Sequence, residues 1–163
     1  MLKLQTTSSI QTKKIAKELA DVIIGKADKT NRFIDSLTSC FLPHKSALVI
    51  TLHGDLGAGK TTFTQGFLRG LGVKSKITSP TFVIIKNYKL RITNYEKVFH
   101  MDAYRIKSAK EILDLNWKEI ISDSKNIILI EWPERISKIL PKNKIQITFK
   151  YGKNENERYL TIK

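Results

Sequence analysis

Ala47-Leu48-Val49-Ile50-Thr51-Leu52-His53 runs directly into Gly54-Asp55-Leu56-Gly57-Ala58-Gly59-Lys60-Thr61-Thr62-Phe63. The first stretch has the length and apolar, β-branched character of a buried strand. The second carries Gly54, Gly59, Lys60 and Thr61 at the spacing G-x-x-x-x-G-K-[ST]. Glycines there let the backbone curl until successive N–H groups converge on one point, and the helix that follows adds its positive end. The pattern is that of a phosphate-binding P-loop, and glycine makes up only about 7% of an average chain, so chance matches are rare. Context agrees, since a strand enters the loop and a helix leaves it. A nucleoside triphosphate, most simply ATP with Mg²⁺, is the expected ligand. Asp55, Leu56, Gly57, Ala58, Gly59, Lys60, Thr61 and Thr62 are its expected contacts, Lys60 as a point charge on the β- and γ-phosphates and Thr61 as a metal ligand.

Working outward, the apolar residues Ile15, Leu19, Val22 and Ile23 recur at helical spacing, so about residues 9–24 read as an amphipathic helix. Residues 25–46 are polar and irregular and read as an inserted loop or short helix. After the P-loop, a helix is expected over Lys60–Leu71, with Phe63, Phe67 and Leu71 on one face and Gly72 to stop it. Gly66 and Gly70 inside it weaken helix propensity by up to ~1 kcal/mol each, a cost that makes sense if another backbone approaches closely there. Phe82–Leu90 and Lys97–Tyr104 read as strands whose connection is too short for a parallel crossover, hence antiparallel. Ser108–Ile121 reads as one helix, with Ile112, Leu115, Ile120 and Ile121 on its apolar side. Asn126–Glu131 is a further buried strand, and Lys144–Tyr151 with Arg158–Ile162 form a closing hairpin. The expected fold is α/β: a single P-loop NTPase-like domain over residues 1–163, with a mixed parallel and antiparallel sheet flanked by helices.

The 163 residues suit one compact domain. No apolar run approaches the ~20 residues that cross a bilayer, and no signal peptide is evident, so a cytoplasmic protein without membrane contact is expected. The lone Cys40 offers neither an internal disulfide nor a multi-cysteine zinc site. Net charge is +14, with 29 Lys+Arg against 15 Asp+Glu. Such a field attracts polyanions. Yet most of the excess is lysine, in a chain also rich in isoleucine and asparagine, and no basic block or aromatic–basic RNA signature accompanies it. Direct nucleic-acid binding is not the favoured reading. His44, His53 and His100 lack ligand spacing and suggest no site.

A Mg²⁺–nucleotide site needs acid as well as Thr61. Ile127-Ile128-Leu129-Ile130-Glu131 is four apolar residues and then a carboxylate, the form of a Walker-B strand, and Val98-Phe99-His100-Met101-Asp102 is similar with a histidine inside it. In α/β sheets such strand ends open onto the ligand crevice.

These pieces together resemble the TsaE family, the small P-loop ATPases of bacterial tRNA threonylcarbamoyladenosine biosynthesis. The resemblance is carried by Gly54–Phe63, Ser79-Pro80-Thr81-Phe82, Asp102-Ala103-Tyr104-Arg105 and Ile130-Glu131-Trp132-Pro133-Glu134, in that order. It implies that Thr61 and Glu131 hold Mg²⁺, that Lys60 and the loop hold the phosphates, and that Asp102 orients or activates the attacking water. It further implies a switch-like segment at Ser79, Pro80 and Thr81, and Trp132 beside the nucleotide. Arg158, Ser9 and Thr12 are expected to approach the nucleotide as well. The implied partners are a TsaB–TsaD-like heterodimer and, through that complex, tRNA. The implied role is ATP hydrolysis that resets the transferase between turnovers. One departure stands out: the link over Gly25–Ser46 is longer than the family's usual connection.

Other classes stay open. The same loop serves small-molecule kinases, but Arg69, Arg91, Arg105 and Arg135 are scattered and form no arginine-rich lid. Asn143-Lys144-Ile145-Gln146 ends in Gln where a guanine reader has Asp, which disfavours a GTPase. A non-catalytic nucleotide sensor shares every feature named so far.

Overall fold

A computed structural model describes residues 1–27, 33, 45–91 and 94–163. The expected insertion at 25–46 therefore lies largely outside the described residues.

The chain begins with a strand the sequence reading did not anticipate, β1 (Leu2–Thr6), and then α1 (Ser9–Ile23). Ser8 caps α1, its hydroxyl accepting from the Gln11 N–H at 3.2 Å, which satisfies one of the free donors of the first turn. Strand β2 (Leu48–His53) enters the P-loop, and α2 (Lys60–Gly70) leaves it. Strands β3 (Ile85–Lys89) and β4 (Lys97–Asp102) follow, then the short helices α3 (Ala109–Leu113) and α4 (Trp117–Ser122). β5 (Asn126–Glu131), a 3-10 segment at Pro133–Ile139, β6 (Ile145–Tyr151) and β7 (Arg158–Ile162) complete it.

The strands form one sheet of seven in the order β1-β7-β6-β2-β5-β4-β3. β2 runs parallel to β5 and β6, and β5 parallel to β4, while β3–β4, β6–β7 and β1–β7 are antiparallel. The mixed sheet and the antiparallel β3–β4 pair are as the sequence predicts. α1 and α2 cover one face, packing Leu19, Phe63, Phe67 and Leu68 on Leu48, Ile50, Leu52 and Leu129. The other face, with Val49, Met101, Ile128 and Ile130, is covered by Ile112, Trp117 and Ile136. Buried on both sides, β2 and β5 read as nearly continuous apolar runs, with Thr51 alone interrupting Leu48–Leu52 and none interrupting Ile127–Ile130.

Three expectations need correction. The helix predicted over Ser108–Ile121 is two helices. The first has a capping box at Ser108 and Glu111, and the chain breaks at Asn116, whose φ of 57° is left-handed. Leu115 is consequently exposed and Trp117 takes the core position. The strand predicted from Phe82 starts only at Ile85, because Val83 and Ile84 both donate to the Pro80 carbonyl and close a turn. The strand predicted to reach Tyr104 ends at Asp102, whose carboxylate accepts from the Tyr104 N–H at 3.0 Å.

Candidate functional site

A cavity of about 340 Å³ opens where β2, β4 and β5 end and α2 begins. Leu56, Gly57, Gly59, Lys60, Thr61 and Thr62 line one side, and Ser79, Thr81, Asp102, Tyr104, Glu131 and Trp132 the other.

The loop owes its path to glycine. Gly54, Gly57 and Gly59 have φ of 139°, 77° and 103°, in the region L side chains avoid. At Gly54 a Cβ would also stand 2.6 Å from the Phe149 carbonyl oxygen. The closing hairpin grips the loop from outside: the Tyr151 hydroxyl donates to the Leu56 carbonyl and Arg158 to that of Gly57 at 3.4 Å. Arg158 thus meets the loop through its backbone, its guanidinium stacked 4.7 Å over the Tyr151 ring. The Leu56 and Gly57 carbonyls are thus taken up by the hairpin.

Lys60 is almost fully buried, and its Nζ donates to the carbonyls of Gly54 (2.6 Å) and Asp55 (2.7 Å) and lies 3.9 Å from the centre of the Trp132 ring. Burial lowers its pKa from the ordinary lysine value, an effect opposed by Glu131, Glu134, Asp102 and Asp55. Trp132 is itself left-handed, φ 59°, at the turn out of β5, and Tyr104 packs against it with ring centres 5.0 Å apart.

The two acids sit side by side. Asp102 and Glu131 are register partners at the ends of parallel strands β4 and β5, so both side chains leave the same face of the sheet. Glu131 is buried and engaged at both oxygens: the Thr61 hydroxyl donates to Oε2 at 2.9 Å, the Thr64 hydroxyl to Oε1 at 3.4 Å, and His100 Nε2 lies 2.9 Å from Oε1. Asp102 Oδ2 accepts from the hydroxyls of Thr81 (2.6 Å) and Ser79 (3.0 Å), which binds the segment around Pro80 to the acid.

Thr61, Glu131, Lys60, Asp102, Ser79, Thr81 and Trp132, all named from sequence, are therefore brought together. Ser9 and Thr12 are not among the residues lining the cavity. Ser9 opens α1, and the buried Thr12 hydroxyl pairs with that of Thr6 at 3.0 Å. The helix places Thr12 on its core face, which the sequence reading passed over. His100, Thr64 and Tyr151 were missed. His100 had a legible signal: two residues before Asp102 in a strand, it must share that acid's face.

Oxygen donors suit Mg²⁺ better than any soft metal, and Thr61 with Glu131 supplies a hydroxyl and a carboxylate within one hydrogen bond of each other. The glycine-shaped loop and Lys60 supply donors for a polyphosphate. The donor set fits that pair of ligands.

Comparison with known proteins gives the family. A family model described as threonylcarbamoyl adenosine biosynthesis protein TsaE matches residues 6–160. The tRNA threonylcarbamoyladenosine biosynthesis protein TsaE of Bacillus subtilis is 41% identical over 79% of this chain and 76% of its own length. The protein of that name from Treponema pallidum is 38% identical over 70% of this chain and 80% of its own. The crystal structure of Bacillus subtilis YdiB superposes with a TM-score of 0.68 at 34% identity, covering 99% of this chain and 83% of that one.

Proposed function

The chain belongs to the TsaE family of threonylcarbamoyl adenosine biosynthesis proteins, and from that premise we propose that it is a slow Mg²⁺-dependent ATPase. Its hydrolysis would drive a TsaB–TsaD-like transferase through its cycle, with tRNA reached through that complex.

One observation carries the reading: the Thr61–Glu131 pair and Lys60 meet at the P-loop mouth with a second carboxylate, Asp102, in register beside them. Loop N–H groups and Lys60 hold the phosphates. Thr61 and Glu131 hold the metal, which when bound neutralises charge on the phosphate oxygens. Asp102 lines the cavity beside the metal pair without belonging to it, and it orients a water and takes up its proton. Trp132 and Tyr104 wall the cavity and keep bulk water from Lys60.

A sensor without turnover is the second reading, and it too has an observation behind it. Asp102 already accepts three hydrogen bonds, two hydroxyls on Oδ2 and the Tyr104 N–H on Oδ1, as a carboxylate that only ties the Pro80 segment to the sheet would. The two readings separate at Asp102→Asn. For an ATPase we expect phosphate release to fall by about two orders of magnitude or more while calorimetric affinity for a non-hydrolysable ATP analogue stays close to wild type. Equal phosphate release by mutant and wild type removes Asp102 from the chemistry. No phosphate release by wild type, even with the partner pair present, favours the sensor. Failure to co-purify with a TsaB–TsaD pair in the presence of ATP would count against the partner assignment alone.

A further inference from the structure

His100 is fully buried in β4, with Val98 and Asp102 on either side along its face of the strand and Leu129 and Lys86 as its register partners on β5 and β3. Its Nδ1 is buried without a hydrogen-bond partner among the described residues, and its Nε2 lies 2.9 Å from Glu131 Oε1. A buried ring nitrogen left without a partner forfeits the hydrogen bond it makes with water in the unfolded chain, a cost to folding. If this position served packing alone, leucine or isoleucine would fill it without that cost. Since Nε2 faces a carboxylate oxygen, the tautomer that fits has the proton on Nε2, donating to Glu131. The opposite tautomer would set two lone pairs against each other.

We propose that His100 is the positioning residue of the metal-side acid: its Nε2–H pins Glu131 Oε1 and so turns Oε2 toward Thr61 and the cation. This rests on the Mg²⁺–nucleotide reading of the site. The geometry divides the carboxylate between two tasks. Oε1 is occupied on the sheet side by His100 and, more loosely, by Thr64 at 3.4 Å; Oε2 faces the P-loop side, with the Thr61 hydroxyl at 2.9 Å. Without the Nε2–H, Glu131 keeps only hydroxyl donors, and both come from α2, Thr61 having to turn to the metal. The acid would then be free to rotate, and the metal would meet a carboxylate it has to order for itself. A group that fixes a metal's ligand from behind commonly changes metal affinity about 10–100-fold when removed.

The test compares His100→Leu, His100→Asn and His100→Gln with wild type. Glutamine places an N–H near the position of Nε2; asparagine, one methylene shorter, does not reach it; leucine has no donor. Calorimetric titration with a non-hydrolysable ATP analogue, repeated over a series of Mg²⁺ concentrations and once with chelator, gives the Mg²⁺ requirement separately from metal-free affinity. We expect the Mg²⁺ concentration for half-maximal tightening to rise tenfold or more in the leucine and asparagine variants. Metal-free affinity should be unchanged, and glutamine should restore most of the Mg²⁺ response. Circular dichroism selects folded variants, and the polar asparagine–glutamine contrast carries the test if leucine does not fold. An unchanged Mg²⁺ requirement in the asparagine variant, or equal losses for asparagine and glutamine, overturns the role of His100. Wild-type binding indifferent to Mg²⁺ overturns the metal reading of the site itself, and with it this proposal, and is told apart by appearing before any mutation.

Discussion

Lys60 is held by two backbone carbonyls and the Trp132 ring, and burial lowers its pKa against the pull of four nearby acids. A bound polyphosphate would add negative charge beside the ammonium and raise that pKa again. Binding therefore takes up a proton wherever the free protein has begun to lose it. Affinity should be full below the lowered pKa and fall as pH rises through it, before the ordinary lysine range near 10.4 is reached. Calorimetry of the ATP analogue at increasing pH checks this, with Lys60→Met as the flat control. A wild-type affinity constant up to the ordinary lysine range would show that the ammonium is not what the phosphates meet. The same group affects folding in the opposite sense: a lysine whose folded pKa is lowered costs stability while charged, and the cost is relieved as pH rises. At this scale the sequence was eloquent about Lys60, Thr61 and Glu131, whose roles depend on spacing along one loop and one strand end. It was mute about Tyr151, because that contact with Leu56 spans 95 residues of chain.

The α1–α2 contact is built on a glycine the sequence reading suspected. A Cβ at Gly66 would stand 2.4 Å from the Lys13 carbonyl oxygen of α1, and one at Gly70 would meet Ala20 Cβ at 2.7 Å. Alanine is worth up to ~1 kcal/mol over glycine in a helix interior, so propensity alone predicts that Gly66→Ala stabilises. The clash is with backbone and cannot be relieved by a rotamer, so we expect a net loss of about 1–3 kcal/mol. Denaturant midpoints decide between the two signs. Gly72→Ala makes a useful comparison, since nothing lies within 4 Å and only its φ of 87° opposes a side chain. It should lose about 1–2 kcal/mol. Elements whose pattern was long were legible, among them α1, β2, α2 and β5. The failures were short. β1 alternates half-buried and exposed residues up to the buried Thr6, and its only apolar side chains toward the core are Leu2 and Leu4. Its place is fixed by pairing with β7, at the opposite end of the sequence. The break at Asn116 was hidden because apolar residues on both sides of it happen to continue one helical stripe.

The whole molecule carries +14 formal charges, and ion pairs such as Lys17–Asp21 and Lys125–Glu96 are exposed and worth little. Most lysines therefore repel one another across the folded surface more than along an expanded chain. Salt at physiological strength shortens the screening length to about 8 Å and should raise the melting temperature by a few degrees over low-salt buffer. Differential scanning calorimetry across a salt series checks this, and a falling melting temperature would mean that local pairing outweighs the global field. Among the described residues, no helix is long and apolar enough to cross a membrane.

Asp102 and Glu131 are held at one height because β4 and β5 run parallel in fixed register. Along a strand, adding or removing a single residue turns every later side chain to the opposite face. The acids are therefore governed by a counting rule, like letters in a reading frame. Exchange of one apolar residue for another in Val98–Met101 or Ile127–Ile130 leaves both acids aimed at the cavity, whereas one inserted residue in either strand points its acid into the packing beneath Ile112 and Trp117. Length changes that spare the site therefore have to fall outside these two strands.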